Sequence, residues 1–303
     1  MPPQTAPRGA PSHRAYRPAV PRATGVAVAA ALAWALAGCS SAPRPAAAPP
    51  PDGAQEGAVR LGGPEAARLR AEIHADLVGR AGRVRGVRGR AEVRLSAPAW
   101  GGASWMEAAV VARAPGQLRL RAYAGPAALF DLAADAGGFA LYVPESRMLW
   151  SGPPEALPAI TGFPGEPADV VAALLGAPFG TPDSVELIAA DAERATARWR
   201  GTRGEDVTAR YRRRPLRAEE FRLARGDSVI AILACDDFLK ESVGWWPRRW
   251  TLSWPAEAAV LDLQFRELTL NPQPRPEDFR LRPPADALRV EMGAAGPVGS
   301  EPR

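Results

Sequence analysis

From Arg83 onward the chain alternates apolar and polar residues with a period of two, and no other feature constrains its fold as much. Ala91, Val93 and Leu95 alternate with Arg90, Glu92 and Arg94, and Leu118 and Leu120 with Arg119 and Arg121. Phe139, Leu141 and Val143 follow a Gly137-Gly138 turn. Later sets are Ala195/Ala197/Trp199, Val207/Ala209/Tyr211, Phe221/Leu223, Trp250/Leu252/Trp254 and Leu261/Leu263/Phe265, after which the parity switches to Leu268/Leu270 and predicts a bulge. Turn signals (Gly101-Gly102, Pro115-Gly116, Gly204-Glu-Asp, Gly226-Asp227, Pro255) recur every eight to twelve residues. Successive side chains of a strand point to opposite faces, so this is an antiparallel meander with one dry and one wet face. The 33 prolines and 29 glycines, about a fifth of the 303 residues, also favour short elements and turns.

Two segments change period. After Pro64-Glu65, Ala67, Leu69, Ile73 and Leu77 mark a short helix with an acidic first turn. Pro167-Ala-Asp-Val-Val-Ala-Ala-Leu-Leu-Gly176 marks a second, with Pro in its first turn and Gly at its end. The second divides the strands into about five before it and five or six after. A sheet that large must curl, split into two layers or close. Two short helices are thin cover, so the expected fold is mainly β, one strongly curved antiparallel sheet (a half-barrel) under a helical lid. No internal repeat or linker interrupts residues 65–290, and the reading is one domain over 61–290, with 291–303 as a flexible tail.

The N-terminus has its own logic. Arg8, Arg14, Arg17 and Arg22 precede an apolar run, Val26-Ala-Val-Ala-Ala-Ala-Leu-Ala-Trp-Ala-Leu-Ala37. Twelve residues of helix reach about 18 Å against roughly 30 Å of hydrocarbon, too short to span stably. Residues 1–38 therefore read as a secretory signal. Leu36-Ala37-Gly38-Cys39 resembles the bacterial lipobox, which implies acylation of Cys39 and a lipid anchor. Ser40 rather than Asp follows the cysteine, which by resemblance to lipoprotein sorting points to the periplasmic face of the outer membrane. Residues 39–60, rich in Ala and Pro, read as a semi-extended tether. Without the leader, the net charge of +5 falls to +1, so charge does not indicate nucleic acid.

Site chemistry is sparse. His74, with Glu72 and Asp76 beside it, lacks the ligands of a metal site, and no cofactor is expected. No nucleophile–base motif or phosphate-binding loop occurs, so the chain does not read as an enzyme. Asp236-Asp237 reads as a solvated turn at a strand end, and Cys235 as a small buried thiol. Arg80, Arg83, Arg85, Arg88 and Arg90 read as the polar face of a strand. What stands out is an aromatic-rich dry face. A closed sandwich would fill it, whereas a curled sheet under thin cover would leave a hollow for acyl chains. Periodicity does not choose between them. The loop Ala124-Gly-Pro-Ala-Ala-Leu-Phe130 places Leu129 and Phe130 straight after a Gly-Pro turn, either opening the next strand or forming a greasy tip.

Several runs, in order, resemble the LolB-like outer-membrane lipoprotein receptors of the LolA/LolB superfamily. They are Gly86-Val-Arg-Gly-Arg-Ala-Glu-Val-Arg94, Trp105, Pro115-Gly-Gln-Leu-Arg-Leu-Arg-Ala-Tyr-Ala-Gly-Pro126, Ile160-Thr-Gly-Phe-Pro164, Pro247-Arg-Arg-Trp-Thr-Leu252 and Leu261-Asp-Leu-Gln-Phe265. Pro276-Glu-Asp-Phe-Arg-Leu-Arg-Pro-Pro284 is similar to the end of the LolA carriers. The resemblance implies a half-barrel whose hollow holds the acyl chains of lipoproteins or lipids in transit, handed over by a periplasmic LolA-like carrier, with no nucleic acid involved. The expected cavity residues are Leu118, Leu120, Leu132, Leu141, Trp199, Trp250, Trp254 and Phe265. Leu129 and Phe130 would form the protruding loop. The rival reading is an accessory or assembly lipoprotein of the envelope with the same fold and a filled cavity.

Overall fold

The computed structural model describes residues 63–98, 102–161, 165–201 and 204–293. The signal segment, Cys39, the tether, Trp100, Gly162-Phe-Pro164 and residues 294–303 lie outside these. Helix α1 (Gly63–Arg83) opens the described chain. Six strands follow: β1 (Gly86–Ala97), β2 (Gly102–Arg113), β3 (Gln117–Ala124), β4 (Ala127–Asp135), β5 (Gly138–Val143) and β6 (Met148–Gly152). Two short helices come next, α2 (Leu157–Thr161) and α3 (Pro167–Leu174). Then come β7 (Glu186–Ala190), β8 (Arg194–Arg200), β9 (Asp206–Arg213), β10 (Leu216–Arg225), β11 (Ser228–Glu241), β12 (Gly244–Trp254), β13 (Ala259–Leu270) and β14 (Leu288–Glu291). Six strands before the helices and eight after exceed the count read from sequence, because β4 and the short end strands lack clean alternation.

All fourteen strands form one mixed sheet in the order β14-β6-β5-β4-β3-β2-β1-β13-β12-β11-β10-β9-β8-β7. Two meanders join where β1 pairs with β13, and only β14 runs parallel to its neighbour, β6. The sheet stays open, with the short strands β7 and β14 at its edges. Strong curvature follows from packing. Strands β5 and β12 stand six places apart, about 29 Å if the sheet were flat. Yet Leu141 of β5 and Trp254 of β12 line one small cavity.

The predicted bulge lies at Arg266. Arg90 faces Glu267 and Ala91 faces Phe265, leaving Arg266 without an opposite residue on β1. Gly89 makes this possible, because a Cβ there would stand 2.1 Å from the Glu267 carbonyl oxygen and 2.6 Å from the Phe265 ring. In α1, Leu69, Ile73 and Leu77 are buried at helical spacing, while Ala67, expected with them, is exposed. Helix α3 starts with a reciprocal cap in which the Glu166 backbone amide donates to the Asp169 carboxylate at 3.2 Å. It ends at Gly176 (φ 74°), where a Cβ would press on the Trp246 ring.

Asp236-Asp237 is not a terminal turn: β11 continues through it to Glu241, with Asp237 at φ 51° and ion-paired to Arg248 at 2.8 Å. The basic stretch is divided. Arg80 is buried against Asp76, whereas Arg88 reaches Asp278 on the outer face. The clash at Gly89 involves backbone and cannot relax by a side-chain rotation. Gly89→Ala should therefore destabilise by about 2 kcal/mol or more, read as a lower urea midpoint at unchanged slope.

Candidate functional site

The concave face has two unlike halves. Over one lies α1, tied at its start by the Glu65–Arg213 ion pair at 2.9 Å beside the end of β9. At its far end the Asn271 side chain accepts from the Arg85 amide (2.7 Å) and donates to the Arg83 carbonyl (2.6 Å), beside the end of β13. Twenty-one residues of helix span about 32 Å, enough to cross the five strands from β9 to β13. Large rings fill this half. Trp246, Trp250, Tyr211 and Phe265 are among the bulkiest fully buried side chains. Trp250 meets Phe265 edge to face at 5.3 Å, and Trp199 meets Phe221 likewise at 6.3 Å.

Within this half α1 also buries charge. The Arg80 guanidinium donates to both Asp76 oxygens at 3.0 and 2.8 Å and lies over the Trp246 ring at 5.9 Å. The Tyr211 hydroxyl and the Trp199 and Trp246 indole nitrogens are buried with no hydrogen-bond partner among the described residues. Burial pushes the Tyr211 hydroxyl well above its ordinary value, and the Asp76 carboxylate adds to this. Burial likewise pushes the Cys235 thiol up from about 9 to about 12, partly offset by Arg80.

The other half carries only α2 and α3, and here a hollow of about 120 Å³ remains. The sheet supplies Val93 and Leu95 from β1, Leu118 and Leu120 from β3, Phe130 and Leu132 from β4, and Leu141 and Val143 from β5. Trp254 and Leu261 close it from the β12–β13 side, and Leu157, Ile160, Pro167 and Val170 from the lid. Among the described residues no charged side chain lines it. A hollow of roughly 150 Å³ lined by Leu, Ile and Phe stays dry and accepts a benzene-sized guest. The space here is therefore of a size for the end of one hydrocarbon chain, and too small for a whole acyl chain with α2 and α3 where they stand.

Of the expected cavity residues, Leu118, Leu120, Leu132, Leu141 and Trp254 surround this hollow. Trp199, Trp250 and Phe265 share the concave face but lie outside this hollow, buried in ring pairs of the core, Trp250 with Phe265 and Trp199 with Phe221. Leu129 and Phe130 form no exposed tip. The turn is confined to Gly125-Pro126, β4 begins at Ala127, and both side chains are buried, with Phe130 in the cavity wall. A register shift at this point leaves Leu129 without an opposite residue on β3. Val93, Leu95 and Leu261 were visible as alternating positions, but nothing in their pattern separates cavity from core. The α2 contacts carried no periodic signal, because a five-residue helix is too short to show one.

The convex face is a lattice of cross-strand ion pairs. Arg119 grips Asp131 at 2.6 Å, Arg249 grips Asp262 at 2.6 Å, and Arg210 and Arg212 pair with Glu220 and Glu219. The chain after β13 crosses this face as a strap. Asp278 meets Arg88 at 2.5 Å, Phe279 lies under the Arg113 guanidinium at 5.1 Å, and Arg119 donates to the Arg280 carbonyl. The strap ends in β14 against β6, and Ala133 and Leu149, on the sheet's outer side, are buried. This explains why β4 is buried along nearly its whole length.

No protein-family profile matches the chain, and neither does any curated protein sequence. Many solved structures are similar to it, three of them as follows. A DUF1329 family protein from Desulfovibrio piger and a putative outer membrane lipoprotein-sorting protein domain from Vibrio parahaemolyticus each give a TM-score of 0.49 at 11% identity, covering 70% of this chain and 97% of theirs. A LolA superfamily protein from Nitrosomonas europaea gives 0.48 at 12% identity, covering 68% and 96%.

With Cys39→Ala to leave a single thiol, Cys235 should resist a water-soluble thiol reagent at about pH 8 until the protein is unfolded. Its raised pKa favours the folded state fully below the unfolded value, and that contribution is lost as pH climbs from about 9 to about 12. Cys235→Ser should weaken this alkaline decline in a denaturation series, and an unchanged series would refute the assignment.

Proposed function

We propose that this protein is a lipid-anchored outer-membrane lipoprotein that takes up acyl chains of lipoproteins or lipids between its curved sheet and the α2–α3 lid and helps localise them to the outer membrane. The observation that carries the reading is the uncharged hollow under the thinnest part of the cover. Hydrocarbon gains roughly 25 cal/mol for each Å² removed from water, so a chain entering it is stabilised without covalent chemistry. Transfer between two such sites then runs toward the one that buries more chain, and no energy source is needed at this step. The lipobox-like Leu36-Ala37-Gly38-Cys39 supports anchoring at Cys39, and the ordered motifs similar to LolB-like receptors support a LolA-like donor.

A second reading, an accessory envelope lipoprotein with a filled interior, is favoured by one observation, the filling of the α1 half by Tyr211 and Trp246. Mass spectrometry of the purified protein separates the two. A co-purifying lipid supports carriage, and a dry protein supports the accessory role.

Val170→Trp would occupy the hollow from the lid, and Leu132→Glu would place a charge in its wall. Each should reduce uptake of a fluorescent fatty-acid probe at least tenfold in protein that retains its fold. Trp199→Phe, outside the hollow, should leave uptake unchanged. Undiminished binding in folded Val170→Trp protein would exclude this cavity as the acyl site.

A further inference from the structure

We propose that the tip of the β11–β12 hairpin, with the β9–β10 turn beside it, docks on a lipid bilayer surface that carries anionic headgroups. This goes beyond acyl-chain binding and does not depend on it.

Beyond the irregularity at Asp237, β11 carries Phe238, Leu239 and Lys240 to the turn, and β12 returns with Trp245. Leu239 is 41% exposed, one of few large apolar side chains so exposed among the described residues. Phe238 and Trp245 are half-buried, and Arg217 of β10 lies over both rings, at 4.6 and 6.0 Å. Lys240 faces Trp245 across the ladder and is the only lysine in the sequence. Amphipathic rings, an exposed Leu and long cationic stems on one projection are what an interface between headgroups and hydrocarbon accommodates. There the rings sit at headgroup level and the cations reach outward.

The charges at the tip favour an anionic surface. Of its acids, Glu219 pairs with Arg212 at 2.8 Å and Asp237 with Arg248 at 2.8 Å, leaving Glu241 nearest the turn and Asp236 behind it, across from Arg249. Lys240 and Arg214 form no ion pair among the described residues. The direction from which the chain enters also fits. The Glu65–Arg213 pair places the start of α1 at the end of β9, and the β9–β10 and β11–β12 turns lie at that same end of the sheet. The preceding residues, with the apolar run 26–37 and Cys39, therefore join the folded body at this end. An anchor in a bilayer would hold this end nearest the surface and raise its effective concentration there.

The test uses the full chain with Cys39→Ala and Ser242→Cys, labelled at position 242 with an environment-sensitive fluorophore, because Cys235 is buried. The comparison label is at Asp227→Cys, in the exposed β10–β11 turn a full strand length away. Each protein is titrated with vesicles of phosphatidylcholine alone and of phosphatidylcholine with about equal phosphatidylglycerol. The label at 242 should shift to the blue on the anionic vesicles, less on the neutral ones, and the label at 227 should not shift. Leu239→Asp should abolish the shift, and Lys240→Glu should weaken the apparent affinity about fivefold or more. An unshifted label at 242, whether or not the chain floats with the vesicles, overturns the proposal. So does an equal shift at 227.

Discussion

A mostly antiparallel ladder whose apolar side chains mainly face one way leaves this protein with more dry surface than its helices cover, and the rest of the structure answers that mismatch. Curling brings distant strands such as β5 and β12 within reach of each other and shortens the span to be covered. Where α1 crosses the strands, indole, phenol and phenyl rings fill the space between helix and sheet. Where only α2 and α3 lie, short helices of five and eight residues stand against strands that converge from both sides of the curl, and the filling is incomplete. The hollow is thus a consequence of unequal cover rather than of unusual lining residues.

The convex face meets the opposite demand, since it must remain wet without pairing with another sheet. Its alternating arginines and acids satisfy each other across strands, and most such pairs are partly exposed, so each contributes little alone. Their use is in fixing register and denying an apolar surface to neighbours. The strap draws on the same face: Arg113 and Arg119 serve both the sheet and the segment that crosses it, and Arg88 holds Asp278 of that segment. It then ends in β14 and covers one edge of the sheet with a short parallel strand.

Much of this was legible in the residues. Period-two alternation gave the strand faces, the parity switch after Phe265 located the bulge at Arg266, and Pro167 and Gly176 bounded α3. The candidate site was half legible. Leu118, Leu120, Leu132, Leu141 and Trp254 were placed on the dry face and do line the hollow. Trp199, Trp250 and Phe265 carry the same signal and lie in core. Alternation reports which side of the sheet a residue occupies, and it contains no term for what lies opposite. Leu129 and Phe130 show the same limit, because a Gly-Pro turn fixes where the chain reverses but not whether the next residues remain exposed.

The sequence by itself determined the strand faces and the scarcity of catalytic motifs, because these follow from the order of neighbours along the chain. Only the tertiary structure decided which part of the dry face stays unfilled, that Arg80 is buried beside Asp76, and that the start of α1 and the Trp245 hairpin share one end. Those outcomes depend on distances between residues more than a hundred positions apart. Such distances are set by how far the sheet curls and where α1 crosses it, and no local pattern encodes either.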